Sequence, residues 1–463
     1  MKLLKALSQK GKILLIMFRT KANRCSVNAL IAALDKEKLP VDILLLDHEE
    51  FGKLLNIENI SGLLNKYERI ILAFGFMTTM LNSILSLTSS IREIKTRYKK
   101  RVVAICGGPH PSGDPLGSIL LGFDYAFIGE AECSFPHFIR KVIEGEDYSK
   151  TLGVAYVDDE YLIINNPPKP IDLNEYPPYP IRRRMFNYIE ITRGCPHACY
   201  FCQTPRIFGT RPRHRSIESV RHYCLIKVKH GKTDLRFISP NALCYGSKSG
   251  FTVNIEVLEN LLAELHSLRK INPKVRVFLG SFPSEIRPEF ISEDTIKLLK
   301  KYTNNKRIII GAQSGSEKVL KEIHRGHTLE DVLNATEIAV KHGFRVDVDF
   351  IFGLPCEERE DVEETMVFMR KLLRLGNVRV HAHVFMPLPG TPYANKEPKP
   401  IPSRLRNELF KLVGYGKLYG QWVKQEELAK MIVKLRKKGV IITGYPVRPG
   451  KVNFKNYLKS NMA

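Results

Sequence analysis

The stretch Glu190-Ile-Thr-Arg-Gly-Cys-Pro-His-Ala-Cys-Tyr-Phe-Cys-Gln203 decides how the chain is read. Cys195, Cys199 and Cys202 stand at C-x3-C-x2-C spacing just after a short strand-like run, on a loop opened by Gly194 and Pro196. Thiolates suit soft iron, and a cubane cluster normally takes four of them. Three thiolates with no fourth nearby leave one iron without a protein ligand, and an open metal position is where chemistry happens. A zinc knuckle is the competing reading, with His197 available as a fourth ligand. Its spacing, however, departs from the paired C-x2-C geometry of most zinc sites. A disulfide framework fails because three is odd and the other cysteines of the nine are scattered.

With Phe201 directly before the third cysteine, this loop resembles that of the radical S-adenosylmethionine (SAM) superfamily. The resemblance implies that Cys195, Cys199 and Cys202 hold a [4Fe-4S] cluster whose fourth iron is chelated by the amino and carboxylate groups of SAM. It implies further that an electron from the reduced cluster cleaves SAM to methionine and a 5′-deoxyadenosyl radical.

Downstream, from Tyr188 to about Asn395, strands alternate with helices as in a partial parallel barrel. The strands after the cysteine strand are Leu235–Ser239, Val275–Leu279, Arg307–Gly311, Val346–Phe352 and Val378–Val384. Barrel sites lie at the carboxyl ends of strands. Radical SAM cores resemble this six-stranded open barrel, and the resemblance assigns SAM-contact roles to the residues just beyond each strand. Phe201 flanks the cluster. Ser239 and Asn241, in Ser239-Pro-Asn241, stand where the family often has Gly-Gly-Glu. Gln313 and Ser314 of Gln313-Ser-Gly-Ser-Glu317 are similar to a ribose-binding motif and offer neutral hydrogen bonds. Phe352, Gly353 and Leu354 resemble the segment that lines adenine, and Met386-Pro-Leu-Pro-Gly-Thr-Pro392 the apolar turn beside it. Glu357, Glu358 and Glu360 fall in the first turn of the next helix, where the dipole favours them structurally.

Upstream, Lys12–Phe18, Val41–Leu46, Arg69–Phe74, Val102–Cys106 and Tyr125–Ile128 are continuous apolar strands, with a helix expected over Asn28–Glu37. Such strands imply a Rossmann-like, doubly wound α/β domain with a parallel sheet covered on both faces. Ligands bind at the carboxyl ends of its strands, where Gly75, Gly107, Gly108 and Gly129 let backbone approach a bulky group. The runs Cys106-Gly-Gly-Pro-His-Pro-Ser112 and Phe127-Ile-Gly-Glu-Ala-Glu132 resemble the cobalamin-binding domain that precedes one large radical SAM subfamily. The Asp-x-His-x-x-Gly motif of many cobalamin proteins is absent; Asp47-His-Glu-Glu-Phe-Gly52 carries its histidine one position early. His110 reads as a loop hydrogen-bonder. A sheet domain that kept its fold without the cofactor is the alternative.

The domains expected are 1–165 cobalamin-binding-like, 166–187 a proline-rich linker, 188–395 the radical SAM core, and 396–463 a basic, mainly helical extension. That extension ends in a strand-like Val440–Thr443 and closes the barrel near the substrate. At 463 residues the chain exceeds one ordinary core. Its 44% hydrophobic and 26% charged content are those of a soluble globular protein. Lys2, Lys5, Lys10 and Lys12 precede no apolar signal region. The uncharged Ile70–Ile91 carries Gly75, Asn82 and many Ser and Thr, so it reads as strand, loop and helix start rather than a membrane span. A cytoplasmic location is expected.

The net charge of +24 invites nucleic acid, yet much of it sits on Lys-rich helical faces and no RNA-binding module accompanies it. Arg206, Arg211, Arg213 and Arg215 flank the cysteine loop, either anchoring it or facing an anionic substrate. Cys25, Cys106, Cys133, Cys224, Cys244 and Cys356 show no ligand spacing, although Cys244 and Cys356 lie on strand-end loops. The function expected is a cobalamin-dependent radical SAM methyltransferase acting on an unactivated carbon. Its substrate would be an anionic small molecule, a protein side chain or RNA, and its reductant a ferredoxin or flavodoxin. The alternatives are a tRNA methylthiotransferase-like enzyme, favoured by Gln313-Ser-Gly-Ser and Asn241-Ala-Leu-Cys-Tyr-Gly246, and a non-catalytic cofactor or redox sensor.

Overall fold

A computed structural model describes residues 12–442, 447–454 and 456. The Lys2–Lys10 segment and Thr443 lie outside the described residues. Five parallel strands open the chain: β1 (Ile13–Phe18), β2 (Val41–Leu46), β3 (Arg69–Gly75), β4 (Val102–Gly107) and β5 (Tyr125–Phe127). They lie in the order β5-β4-β3-β1-β2. All six residues of β1 are buried, because helices cover both faces of the sheet. The helix expected from Asn28 begins earlier, at Arg24. Ile70–Ile91 resolves into β3 followed by short helices. No described helix is long and apolar enough to cross a membrane.

Three antiparallel strands extend this sheet beyond β5: β6 (Val154–Asp158), β7 (Tyr161–Ile164) and, from the far end of the chain, β17 (Gly450–Asn453). Val440–Ile442 is not a strand, contrary to its apolar β-branched sequence. Ile441 and Ile442 instead enter the apolar core of the first domain, and the Ile442 N–H donates to buried Asp114 at 3.0 Å. A side-chain acceptor there replaces a sheet partner.

The second unit is an open parallel barrel. Strands β8 (Ile189–Glu190), β11 (Asp234–Ile238) and β12 (Arg276–Phe278) form one wall. Strands β13 (Arg307–Gln313), β14 (Arg345–Phe352), β15 (Val378–Val384) and β16 (Leu418–Tyr419) form the other. An Ile286–Ile310 bridge joins the walls. The seventh strand, β16, is two residues long, too short for periodicity to reveal. A small antiparallel pair, β9 (Thr192–Arg193) with β10 (Arg213–His214), frames the cysteine loop.

The two units meet through buried charge. Arg193 donates to Glu132 and Glu190, each at 2.6 Å, and lies 3.5 Å from Glu130. Arg213 pairs with Glu130 as well. Backbones also touch there: a Cβ on Gly113 would lie 2.2 Å from the Pro389 carbonyl oxygen, so only glycine fits. Burial opposes ionisation of Glu132, but Arg193 outweighs it and holds the carboxyl below its ordinary 4.5. The pair therefore stabilises the fold fully above pH 4.5 and loses that contribution as pH falls through the lowered value. Glu132→Gln should cost about 2 kcal/mol at pH 7, the range of a hydrogen bond to a charged group. Thermal melts of both proteins should converge as the pH drops below 4.5; a gap constant with pH would contradict the assignment.

Candidate functional site

Gly194, at φ +89°, turns the chain out of β9 where a Cβ would lie 2.3 Å from the Arg211 carbonyl oxygen. The loop that follows is fixed by backbone bonds, from Cys195 N–H to Gly209 O (3.1 Å) and from Tyr200 N–H to Ile323 O (3.0 Å). The Tyr200 and His324 rings stack at 5.3 Å, and His324 Nδ1 lies 2.9 Å from the His197 carbonyl oxygen.

Cys195, Cys199 and Cys202 line one cavity of about 410 Å³ at the barrel mouth. Burial raises the Cys195 and Cys202 thiols, the latter to about 11, and a bound cation reverses that cost by taking the thiolate. Among the described residues, no three of Cys195, His197, Cys199 and Cys202 bring donor atoms all within 4.8 Å of one another. Three thiols on one cavity wall can serve as ligands to an iron–sulfur cluster.

Phe201 and Ser239 share this cavity with the cysteines. Ser239 Oγ donates to the Asn241 carbonyl oxygen at 2.6 Å. Asn241, Gln313 and Ser314 are buried outside the cavity lining. Asn241 Oδ1 accepts from the Arg287 N–H, and Gln313 holds a left-handed backbone (φ +75°) at a bulge in β13. Phe352 stacks on Phe350 in the barrel wall, and Gly353 O accepts from the Lys399 N–H at 3.0 Å. Leu354 packs in an apolar cluster with Phe201 and Phe385. Glu357 accepts from the Leu354 N–H, and burial pushes its carboxyl up to about 8. Cys244 and Cys356 do not line the cavity.

The opposite wall carries residues that motif reading missed. Asp349 Oδ1 lies 2.8 Å from His381 Nδ1, and His383 Nε2 lies 3.2 Å from that same nitrogen. Gln425, on the helix Trp422–Lys437, accepts from the Val384 N–H, so its amide N–H faces His383 Nδ1 at 3.3 Å. This orientation makes His383 Nδ1 the acceptor and leaves its proton on Nε2, on the lone pair that a metal ion would need. Tyr419 of β16 stacks on His381 at 4.3 Å and donates to Asp347. One signal was available: in Val378-Arg-Val-His-Ala-His-Val384 the valines and alanine are buried in the wall, while Arg379, His381 and His383 alternate onto the less buried face.

Between this cavity and the first domain stands the short helix Thr204–Phe208. Thr204 and Pro205 line the cysteine cavity, while Ile207 and Phe208 line a second cavity of about 320 Å³. Gly75, Gly108, Gly129, Phe76, Met77 and Tyr188 also line this second space. Gly107 does not; its Cβ position meets Phe127 at 3.2 Å. His110 is wholly buried and bonded to Thr78 at 3.0 Å. The arginines after the loop are anchors: Arg206 donates to Ala198 O, Arg213 pairs with Glu130, and Arg215 donates to Glu190 O and Tyr176 O. Arg211 is the exposed one of the four.

Residues 189–369 match the family model described as the radical SAM superfamily. A Methanocaldococcus jannaschii protein with a provisional methylthiotransferase name is 29% identical over 290 residues, 60% of this chain and 59% of that protein. The chain thus spans less than two thirds of that relative. A tRNA-2-methylthio-N(6)-dimethylallyladenosine synthase of Sulfurihydrogenibium sp. is 26% identical, covering 72% of this chain and 71% of its own. Among solved structures, the radical SAM methyltransferase TsrM of Kitasatospora setae, with cobalamin and a [4Fe-4S] cluster bound, superposes with a TM-score of 0.63. It is 16% identical and covers 83% of this chain and 74% of its own. The cobalamin-dependent radical SAM enzyme OxsB, with aqua-cobalamin bound, gives a TM-score of 0.60 at 16% identity, over 91% of this chain and 57% of its own. Both share the fold of this chain, a Rossmann-like domain followed by an open barrel. Cysteine loop, barrel and family match agree on one segment: residues 189–369 are similar to the radical SAM superfamily.

Proposed function

We propose that the chain is a cobalamin-dependent methyltransferase acting on an unactivated carbon. The observation that carries this reading is the pair of cavities on either side of the helix Thr204–Phe208, one walled by the three cysteines and one by the first domain's glycine turns. The second cavity fits a corrin face in its chemistry. Its walls are largely apolar, and at Gly75 a Cβ would meet nothing within 4 Å. Its volume is about 320 Å³. No histidine lines it among the described residues.

When bound, the cluster supplies an electron for cleaving SAM, and cobalamin supplies a methyl group. The chain's own residues then do the positioning. Cys195, Cys199 and Cys202 would hold iron. Ser239 and Phe201 face SAM space, with Asn241, Gln313 and Ser314 behind as its polar support. Asp349, His381 and His383 present a polar wall to a substrate, and Arg206, Arg213 and Arg215 are spent on anchoring rather than on anion recognition. Closure of the mouth by the docked first domain excludes water from reactive species.

Methylthiolation of tRNA is the second reading, favoured by the two sequence relatives named above. It calls for more sulfur chemistry than the first domain offers: among the described residues, Cys25, Cys106 and Cys133 form no ligand group.

Anaerobic metal and cofactor analysis of the reconstituted protein tests the proposal. Near-stoichiometric cobalamin beside about four irons is expected. Gly75→Leu, which fills the second cavity, should lower cobalamin at least tenfold while iron stays. Four irons without cobalamin, even after incubation with it, would remove the methyltransferase reading. Separately, Cys195→Ala, Cys199→Ala and Cys202→Ala should each lose the cluster's visible absorption, and Cys244→Ala and Cys356→Ala should keep it. Retention of four irons by Cys199→Ala would refute the ligand assignment.

A further inference from the structure

Five buried nitrogens without a hydrogen-bond partner belong to residues around the cysteine loop: Arg287 Nη1, Arg325 Nε, Asn241 Nδ2, His197 Nε2 and His327 Nδ1. Two of these are on guanidiniums that line the cysteine cavity. Their side chains are only 2% and 6% exposed. Arg325 Nη1 lies 3.8 Å from Cys199 Sγ, and Arg325 Nη2 donates to Gly311 O at 2.9 Å. Arg287 Nη2 donates to the Arg325 carbonyl oxygen, which locks the two together. A buried donor left unmade costs about 1–3 kcal/mol, more when charged, so two such arginines in one wall call for a negative partner.

Each arginine has a carboxylate beside it. Arg287 Nε bonds Glu289 at 2.6 Å, and Arg325 lies 3.6 Å from Glu285. Those carboxylates are 22% and 31% exposed, so water screens them more than it screens the guanidiniums. The net field at the thiolates is therefore positive, and it is permanent because arginine does not deprotonate.

We propose that Arg287 and Arg325 are redox-positioning residues, whose buried charge, with the Arg325 N–H on Cys199 Sγ, raises the reduction potential of the cluster on Cys195, Cys199 and Cys202. The inference rests on the cluster assignment. The step concerned is the uptake of one electron from a low-potential one-electron donor, with no bond made or broken. That electron adds negative charge to a desolvated site, and a fixed cation beside it stabilises the reduced form more than the oxidised one. Arg325 Nη1 acts in the same direction by donating to the Cys199 sulfur at 3.8 Å.

The test is an EPR-monitored redox titration of the reconstituted full-length protein with dithionite and viologen mediators, each sample checked for iron. At a fixed potential, Arg325→Gln and Arg287→Gln should each lower the reduced-to-oxidised ratio about tenfold, a shift of about 59 mV to more negative potential for one electron. Arg325→Lys should shift less. Glu285→Gln should shift the other way, because it removes the opposing carboxylate and leaves the cysteine loop untouched. Wild-type potentials in both glutamine variants, with four irons retained, would overturn the proposal. So would a negative or absent shift in Glu285→Gln, which decides the matter if an arginine variant loses its cluster. A wild-type protein that takes up no iron overturns the cluster assignment instead, and the two failures are thus distinguishable.

Discussion

Arg193 is a desolvated cation at the seam between two domains, and the carboxylates around it settle where both domains lie. An isolated guanidinium so buried would be strongly unfavourable, and removing one partner of such a set leaves an uncompensated charge. Glu130 and Glu132 supply the compensation from the loop after β5, whose Gly129 lines the second cavity. Arg193 itself stands two residues before Cys195. One ion network thus ties the first domain's ligand-facing turn to the strand that launches the cysteine loop. Gln203 repeats the logic just after that loop, donating to Pro109 O and to Pro389 O at 2.9 and 2.8 Å. The spacing of the two cavities follows from these bonds rather than from a linker.

The barrel is open, and the C-terminal extension supplies what the open side lacks. β16 adds a strand beside β15 and stacks Tyr419 on His381, while Gln425 fixes the tautomer of His383. The same segment then returns to the first domain, placing Ile432, Ile441 and Ile442 in its apolar core and β17 on its sheet. The extension is therefore part of both units. The cysteine cavity thus has a wall of imidazole and carboxylate supported partly by residues beyond the family match.

Much of the architecture was legible because it rests on short-range signals. Continuous apolar runs such as Ile13–Phe18 announce buried parallel strands, and three cysteines within eight residues announce a metal loop. Long-range pairing was not legible. Nothing in the sequence near Arg193 or Arg213 names Glu130 and Glu132 as partners some 60 to 80 residues upstream. Arg287 and Arg325 look like ordinary loop and helix-end cations until burial beside Cys199 shows their neighbours. The arginine run 206–215 was ambiguous for the same reason, since charge alone does not say which carbonyl or carboxylate it will meet. Val440–Ile442 misled because β-branched residues favour strands only where an edge is available, and here a core and the Asp114 carboxylate were available instead.

Under the proposed function, a corrin in the second cavity and a cluster on the three cysteines would lie on either side of the helix Thr204–Phe208. The direct measurement is EPR of the protein holding cob(II)alamin and the one-electron-reduced cluster together, compared with samples in which only one centre is paramagnetic. Dipolar splitting or enhanced relaxation is expected in both signals. Two unperturbed signals, or no protein-bound cobalt signal at all, would contradict that placement.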